Sequence, residues 1–253
     1  MLKLNHVTLK FGGLYANNDV SFEVPEGAIY GLIGPNGAGK TTLFNVISGV
    51  YQPTAGEVWF QEKRIDGLQP YQINQIGIAR TYQNINLFRD MSVFENVKVG
   101  CHGWSKAGLA SCIFRTKAMR QEEEAICEKS LEVLRFMGLE QQAEHMAGSL
   151  PYGQQRRLEI SRALASNPKM LLLDEPAAGM NTTEKRELSE DIQKIRDSGI
   201  TVLLVEHDMR LVMSITHSIC VLNYGKKIAE GEPEYIKHHE DVIAAYLGGE
   251  VYG

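Results

Sequence analysis

Gly34-Pro35-Asn36-Gly37-Ala38-Gly39-Lys40-Thr41-Thr42 decides how this chain folds. The stretch has the spacing G-x-x-x-x-G-K-T of a loop that cradles phosphates. Before it, Ile29-Tyr30-Gly31-Leu32-Ile33 is a short apolar run with the length of a buried strand. After it, Thr42 to Ser48 has a helical pattern stopped by Gly49. That strand-loop-helix context is what the motif requires. Glycines let successive N–H groups turn inward around an anion, and the helix N-terminus adds partial positive charge. Lys40 is expected to reach the β- and γ-phosphates and the Thr41 hydroxyl to ligate Mg²⁺. A nucleoside triphosphate is the implied ligand.

Outward from the loop, Leu2 to Phe11 alternates loosely like an edge strand, and Val20 to Val24 alternates strictly. Pro53-Thr54-Ala55-Gly56 turns the chain into a strand at Glu57 to Phe60, so the first sixty residues predict an antiparallel layer around the loop unit. Ile76 to Gln83 is expected to be a strand that ends in a glutamine. Ser92-Val93-Phe94-Glu95 is a capping box opening a short helix. Residues 101–116 are expected to be an irregular insert, and a helix runs from Lys117 to Met137 with Ile126, Ser130, Val133 and Leu134 on one face and Gly138 at its end. The run Glu122-Glu123-Glu124 is its solvated side.

Gln154 to Ser166 is expected to be a basic helix. Lys169 to Leu173 is a continuous apolar run ending in Asp174 and Glu175, the pattern of a central parallel strand. Asn181 caps the next helix, with Glu184 at the box position. Ile200 to Val205 is a second buried strand, followed by His207. A hairpin at Ile219–Asn223 and Lys226–Ala229 and a helix from Asp241 to Leu247, ended by Gly248 and Gly249, complete the pattern. Strands alternating with helices indicate an α/β fold with a mainly parallel sheet, an N-terminal antiparallel β layer and an inserted α-helical lobe. The whole chain, 1–253, is expected to be one domain, with a core from 1–86 and 166–253 and the lobe at 87–165.

In open α/β sheets ligands bind beyond the strand C-termini. Asp174 is therefore expected to hold Mg²⁺, and Glu175 to orient and deprotonate a water. His207 follows the neighbouring strand and converges on the same phosphate. Gln83 is a neutral amide able to touch the metal or the water, although a solvent-facing glutamine is the default for its position.

Composition limits the rest. Hydrophobic residues make up 43 % and charged residues 23 %, an ordinary globular balance. A net charge of −5 gives no electrostatic case for nucleic acid. Cys101, Cys112, Cys127 and Cys220 form no C-x-x-C pair and are expected to be reduced thiols of a cytosolic protein. Met1 to His6 lacks the apolar core of a signal peptide. No apolar run approaches the roughly 20 residues that span a bilayer, so any membrane role must come through a partner chain.

Five stretches taken in order, GPNGAGKTT (34–42), TYQNINLF (81–88), LPYGQQRRLEISRAL (150–164), LLLDEP (171–176) and VEHDM (205–209), resemble an ATP-binding cassette ATPase of a membrane transporter over essentially the whole chain. The resemblance implies a RecA-like P-loop NTPase core, with Phe11 stacking on adenine. It also implies that Leu150, Pro151, Tyr152, Gly153 and Gln154 form the signature that closes over ATP bound to a second cassette, with Ala178 to Asn181 at the interface. The signature departs from the commoner L-S-G-G-Q: Pro151 removes a serine hydroxyl, and Tyr152 replaces a glycine. YGQQRRLEI, the stretch Asp174 to Asn181 and the ending Asp241 to Gly248 resemble cassettes of branched-chain amino acid importers, and the insert favours the LivG type over the shorter LivF type.

The partners so implied are transmembrane permease subunits, a second cassette that is identical or LivF-like, and indirectly an extracytoplasmic substrate-binding protein. The implied place is the cytoplasmic face of the inner membrane. A cassette for another cargo, such as urea, another amino acid or a lipid, stays open. So does a soluble cassette acting on ribosomes or DNA, although one cassette without sustained heptads argues against it. A small-molecule kinase would leave the signature and His207 unexplained.

Overall fold

The computed structural model describes residues 1–104 and 117–247. Cys112, most of the insert and the ending at Gly248 and Gly249 lie outside the described residues. Strands β1 (Leu2–Phe11), β2 (Leu14–Val24), β4 (Ala55–Phe60) and β5 (Lys63–Arg64) form a four-stranded antiparallel sheet in the order β2-β1-β4-β5. Strands β3 (Ile29–Ile33), β6 (Ile78–Arg80), β7 (Met170–Asp174), β8 (Thr201–Val205), β9 (Ser218–Asn223) and β10 (Lys226–Gly231) form a six-stranded sheet in the order β10-β9-β3-β8-β7-β6. Every pairing in it is parallel except that of β9 with β10.

Strands β3, β7 and β8 are buried at every residue, which is why they read as unbroken apolar runs. Their alternate side chains feed apolar clusters on the two faces of the sheet. Tyr30, Leu32, Leu172, Leu203 and Val205 pack with the antiparallel sheet and with helix α1 (Lys40–Ile47). Leu171, Leu173, Val202 and Leu204 face the helices on the opposite side. Those are α3 (Val93–Gly100), α4 (Lys117–Phe136), α5 (Tyr152–Leu164) and α6 (Thr182–Asp197), which bring Val97, Leu134, Leu158 and Ile192 to the same apolar cluster. Of the remaining helices, α2 (Pro70–Gln75) and α7 (Met209–Ile215) lie in connections, and α8 (Pro233–Lys237) and α9 (Glu240–Leu247) close the chain. Among the described residues no helix is long and apolar enough to cross a membrane.

Local chemistry sets the helix ends. Ser92 Oγ accepts from Glu95 N at 3.1 Å while Glu95 Oε2 accepts from Ser92 N at 2.8 Å. Asn181 Oδ1 caps α6 by accepting from Thr183 N and Glu184 N at 2.9 and 3.0 Å. Several boundaries depart from expectation: β2 begins at Leu14 rather than Val20, β4 at Ala55 rather than Glu57, α5 at Tyr152 rather than Gln154, and β6 at Ile78 rather than Ile76. The strand expected to reach Gln83 stops at Arg80. Thr81 N still donates to Leu172 O at 2.9 Å, after which the chain leaves the sheet edge and Gln83 sits in a bend.

Candidate functional site

The phosphate loop leaves the C-terminal end of β3, in the middle of the parallel sheet, and delivers Lys40 at the start of α1. Its shape is held from outside. Gly225 N donates to Ala38 O at 3.0 Å, and the buried Asn17 donates through Nδ2 to Gly39 O at 3.1 Å. Two glycines are obligatory here. Gly34 has φ 149° and a side chain on it would meet Leu222 O at 2.1 Å; Gly39 has φ 97° and would meet Ala16 O at 2.4 Å.

Lys40 Nζ donates to Gly34 O at 2.7 Å and to Pro35 O at 3.0 Å, so the loop closes on its own ammonium. Burial holds that ammonium below the usual lysine range, and the Glu175 and Asp174 carboxylates pull against the shift. An incoming phosphate would supply the negative charge that this buried cation lacks.

Asn36, Gly37, Ala38, Gly39, Lys40, Thr41 and Thr42 line a cleft of about 630 Å³ together with Gln83, Glu175, Tyr15 and Tyr224. Glu175 stands at φ 46°, a strained conformation for a residue with a side chain, directly after β7. Its Oε2 accepts from Gln83 Nε2 at 2.9 Å. His207 Nδ1 lies 3.7 Å from the same oxygen, beyond hydrogen-bond length. Asp174 is buried, and its Oδ2 accepts from Arg80 Nη2 at 2.8 Å. Burial pushes the Asp174 carboxyl above the usual range, with the Arg80 guanidinium pulling it back.

The donor set suits a hard cation. Among the described residues no three metal-ligating His, Cys, Asp or Glu side chains gather. Thr41 and Gln83 line the cleft, while Asp174 does not and has Oδ2 taken by Arg80; the hydroxyl, the amide oxygen and the remaining carboxylate oxygen are donors of the kind a hard cation takes alongside water and phosphate.

Other expected residues lie elsewhere. Phe11 is half exposed and packs edge-on against Tyr51 with ring centroids 5.4 Å apart. Tyr15, under Lys10 Nζ at 4.2 Å, is the aromatic of that region that lines the cleft. None of Leu150, Pro151, Tyr152, Gly153 and Gln154 lines it. Pro151 is the N-cap of α5, Tyr152 to Gln154 form its first turn, and Tyr152 Oη donates to Ala178 O at 2.9 Å.

Three polar residues of the site were missed in the sequence. Arg80 joins Asp174 to α1 by donating to Asn45 Oδ1 at 2.7 Å and Ser48 Oγ at 2.8 Å. Glu206 is fully buried and accepts from Ala177 N at 2.7 Å and His207 N at 3.0 Å. Arg156 is fully buried on α5. Glu206 had a local signal, a carboxylate directly after a wholly apolar strand and before His207. The two arginines had none.

A sequence model of the ABC transporter family matches residues 17–178, and one described as branched-chain amino acid ATP-binding cassette transporter matches 226–252. The chain is 46 % identical over 249 residues, 98 % of each protein, to the high-affinity branched-chain amino acid transport ATP-binding protein LivG of Salmonella typhimurium. It is similar in structure to the ADP conformation of an ATP-binding cassette of an ABC transporter, with TM-score 0.86, 33 % identity and 98 % of each chain covered. A cassette solved as a dimer in a post-hydrolysis state with ADP and phosphate is similar at TM-score 0.76 and 28 % identity, over 92 % of this chain and 99 % of that one. A phosphate loop in mid-sheet, a strand-end Asp-Glu pair and relatives matched end to end give one conclusion: this chain belongs to the ABC transporter family, as one of its nucleotide-binding ATPase cassettes.

Proposed function

We propose that this chain hydrolyses ATP to drive import of branched-chain amino acids through transmembrane permease subunits. The carrying observation is Glu175, held by Gln83 at 2.9 Å on the rim of the cleft that Lys40 and Thr41 line. In this reading the backbone from Asn36 to Thr42 and the Lys40 ammonium bind the phosphates. Phe11 or its neighbour Tyr15 offers an aromatic face to adenine, and Glu175 takes the proton from a water that Gln83 and His207 orient. Thr41, Asp174 and Gln83 would hold Mg²⁺, which supplies charge neutralisation at the phosphate oxygens when bound.

The cargo rests on the 46 % identity to a LivG protein. Pairing with a second cassette, identical or LivF-like, is supported by the separation of Leu150–Gln154 from this chain's own cleft and by the dimeric relative. The permease and an extracytoplasmic substrate-binding protein follow from the same cargo, as does a seat on the cytoplasmic face of the inner membrane. Residues 87–165 act in this scheme as the helical subdomain that carries the signature.

The test is turnover by the full-length chain beside Glu175→Gln. The amide keeps the shape but accepts no proton, so hydrolysis is expected to fall roughly 10²–10⁴-fold while nucleotide stays bound. Near-normal turnover removes Glu175 from the role. Isolation from membranes is expected to bring permease chains with it, and copurifying ribosomes instead would reverse the transport reading.

A further inference from the structure

Arg156 sits two residues past the signature, fully buried, and lines no part of the phosphate cleft. Its planar fork grips the backbone of the loop that carries Gln83. Nη1 donates to Tyr82 O and Nη2 to Gln83 O, each at 2.8 Å. Glu159, one turn further along α5, accepts from Nη1 at 2.6 Å and, through its other oxygen, from Asn86 N at 3.4 Å. Arg156 Nε has no acceptor among the described residues, and an unpaired buried donor costs stability.

Stability alone does not call for this pair. Well-packed apolar groups in place of a buried ion pair are often neutral or stabilising. What Arg156 and Glu159 supply is one fixed location for the backbone of Tyr82 and Gln83. From there the Gln83 side chain extends to Glu175 at 2.9 Å. An unbroken line of hydrogen bonds therefore runs from the signature helix to the strand-end carboxylate. A lysine would have to reach both carbonyls from one nitrogen, whereas the guanidinium meets each with a separate N–H in a fixed plane.

We infer that Arg156 is a positioning residue for hydrolysis: from the signature helix it fixes the Gln83 loop, and through Gln83 it sets the orientation of the Glu175 carboxylate. The inference rests on the reading of Glu175 as the base. Under the proposed pairing, the signature of each cassette faces the nucleotide of its partner. Arg156 then ties the engagement of one nucleotide to the readiness of the other site.

The test uses the full-length chain. Arg156→Met alone would leave the buried Glu159 without its ion-pair partner, so it is combined with Glu159→Gln, removing both charges together. The pair is made with Gln83 intact and with Gln83→Ala. With Gln83 intact, kcat is expected to fall about tenfold or more, the scale on which small misplacements act. ATP affinity is expected to stay within about twofold, and in the Gln83→Ala background the further loss of kcat is also within about twofold, the non-additivity expected of coupled residues, where independent ones would lose the same factor again.

Amide hydrogen exchange is expected to quicken at residues 82–86 and to stay unchanged in β7 and β8. An equal loss of kcat in both backgrounds, unchanged kcat with Gln83 present, or exchange that quickens throughout the chain would overturn the inference. Should the unsubstituted chain fail to hydrolyse ATP, the ATPase reading falls on its own. Exchange at residues 82–86 then still decides whether Arg156 holds that loop, and unchanged protection there sinks it.

Discussion

Arg80→Met tests how the site's buried charges are balanced. The side chains of Arg80 and Asp174 are 7 % and 3 % exposed, and their ion pair measures 2.8 Å. Removing one partner of such a pair leaves the other charge buried alone, which costs about 3–5 kcal/mol. Whole domains are stable by roughly 5–15 kcal/mol, so the substitution should move the urea midpoint by a large fraction of its value.

The pH dependence has a definite sign. Burial holds the folded Asp174 carboxyl above its unfolded value, so the folded state binds that proton more tightly. Stability from this group is present at low pH and is lost as pH rises through the window between the two values. Taking away Arg80 removes the chief opposing influence and extends the window upward. The gap between Arg80→Met and the unsubstituted chain should therefore be widest above that window and narrow as pH falls into it.

Adding Asp174→Asn removes the stranded charge, and the double variant is expected to recover roughly 0.5–3 kcal/mol. Urea unfolding of the unsubstituted chain, Arg80→Met, Asp174→Asn and the double variant across pH 5–8 reads all of this. A loss under about 1 kcal/mol, or no recovery in the double variant, would refute the argument from buried pairs.

Three further outcomes are expected. Gly39→Ala puts a side chain 2.4 Å from Ala16 O at φ 97°, and thermal unfolding should show a loss above about 1 kcal/mol along with weakened nucleotide binding. Lys40→Ala removes a charged donor facing the phosphates, and calorimetric titration should find affinity about 10–100-fold weaker, from a bond worth roughly 1.5–3 kcal/mol. Phe11→Ala and Tyr15→Ala, measured side by side, should reveal which ring carries the base: the stacking one raises KM about fivefold or more with kcat preserved, and a fallen kcat at unchanged KM assigns the ring to structure.

What could be read from the sequence was what short-range chemistry determines. The phosphate loop, its flanking strand and helix, and the boxes at Ser92 and Asn181 each lie within a few residues, where spacing alone specifies geometry. Asp174 and Glu175 were legible because two carboxylates close an unbroken apolar run, one at the last residue of β7 and one directly after it. Gln83 was located three residues too close to the sheet, because the turn of the chain after Arg80 depends on partners from α5 and β7. Arg80 and Arg156 were invisible for the same reason: the acceptors that give them their place, Asp174 for one and the Tyr82 and Gln83 carbonyls for the other, come from segments far along the chain, and the Glu159 beside Arg156 looks like an ordinary surface pair. Helix α2 did carry a local mark, Pro70 at its first turn behind Gln69 and with Gln72 completing a box, and it went unread.

The position of β3 bears on how the chain emerges from the ribosome. Its neighbours are β8 and β9, so the strand that feeds the phosphate loop has no flanking strand until Val205 and Asn223 have been synthesised. The loop itself waits longer, since Gly225 N holds Ala38 O. Pairings between such distant segments form slowly and only after the loop-closure entropy is met. During translation the antiparallel layer, β1 with β2 and β4, can assemble early while the Gly34–Thr42 stretch stays open. A ligand stabilises only the state that binds it, so whatever protection a nucleotide lends comes after β8 and β9 have taken their places beside β3.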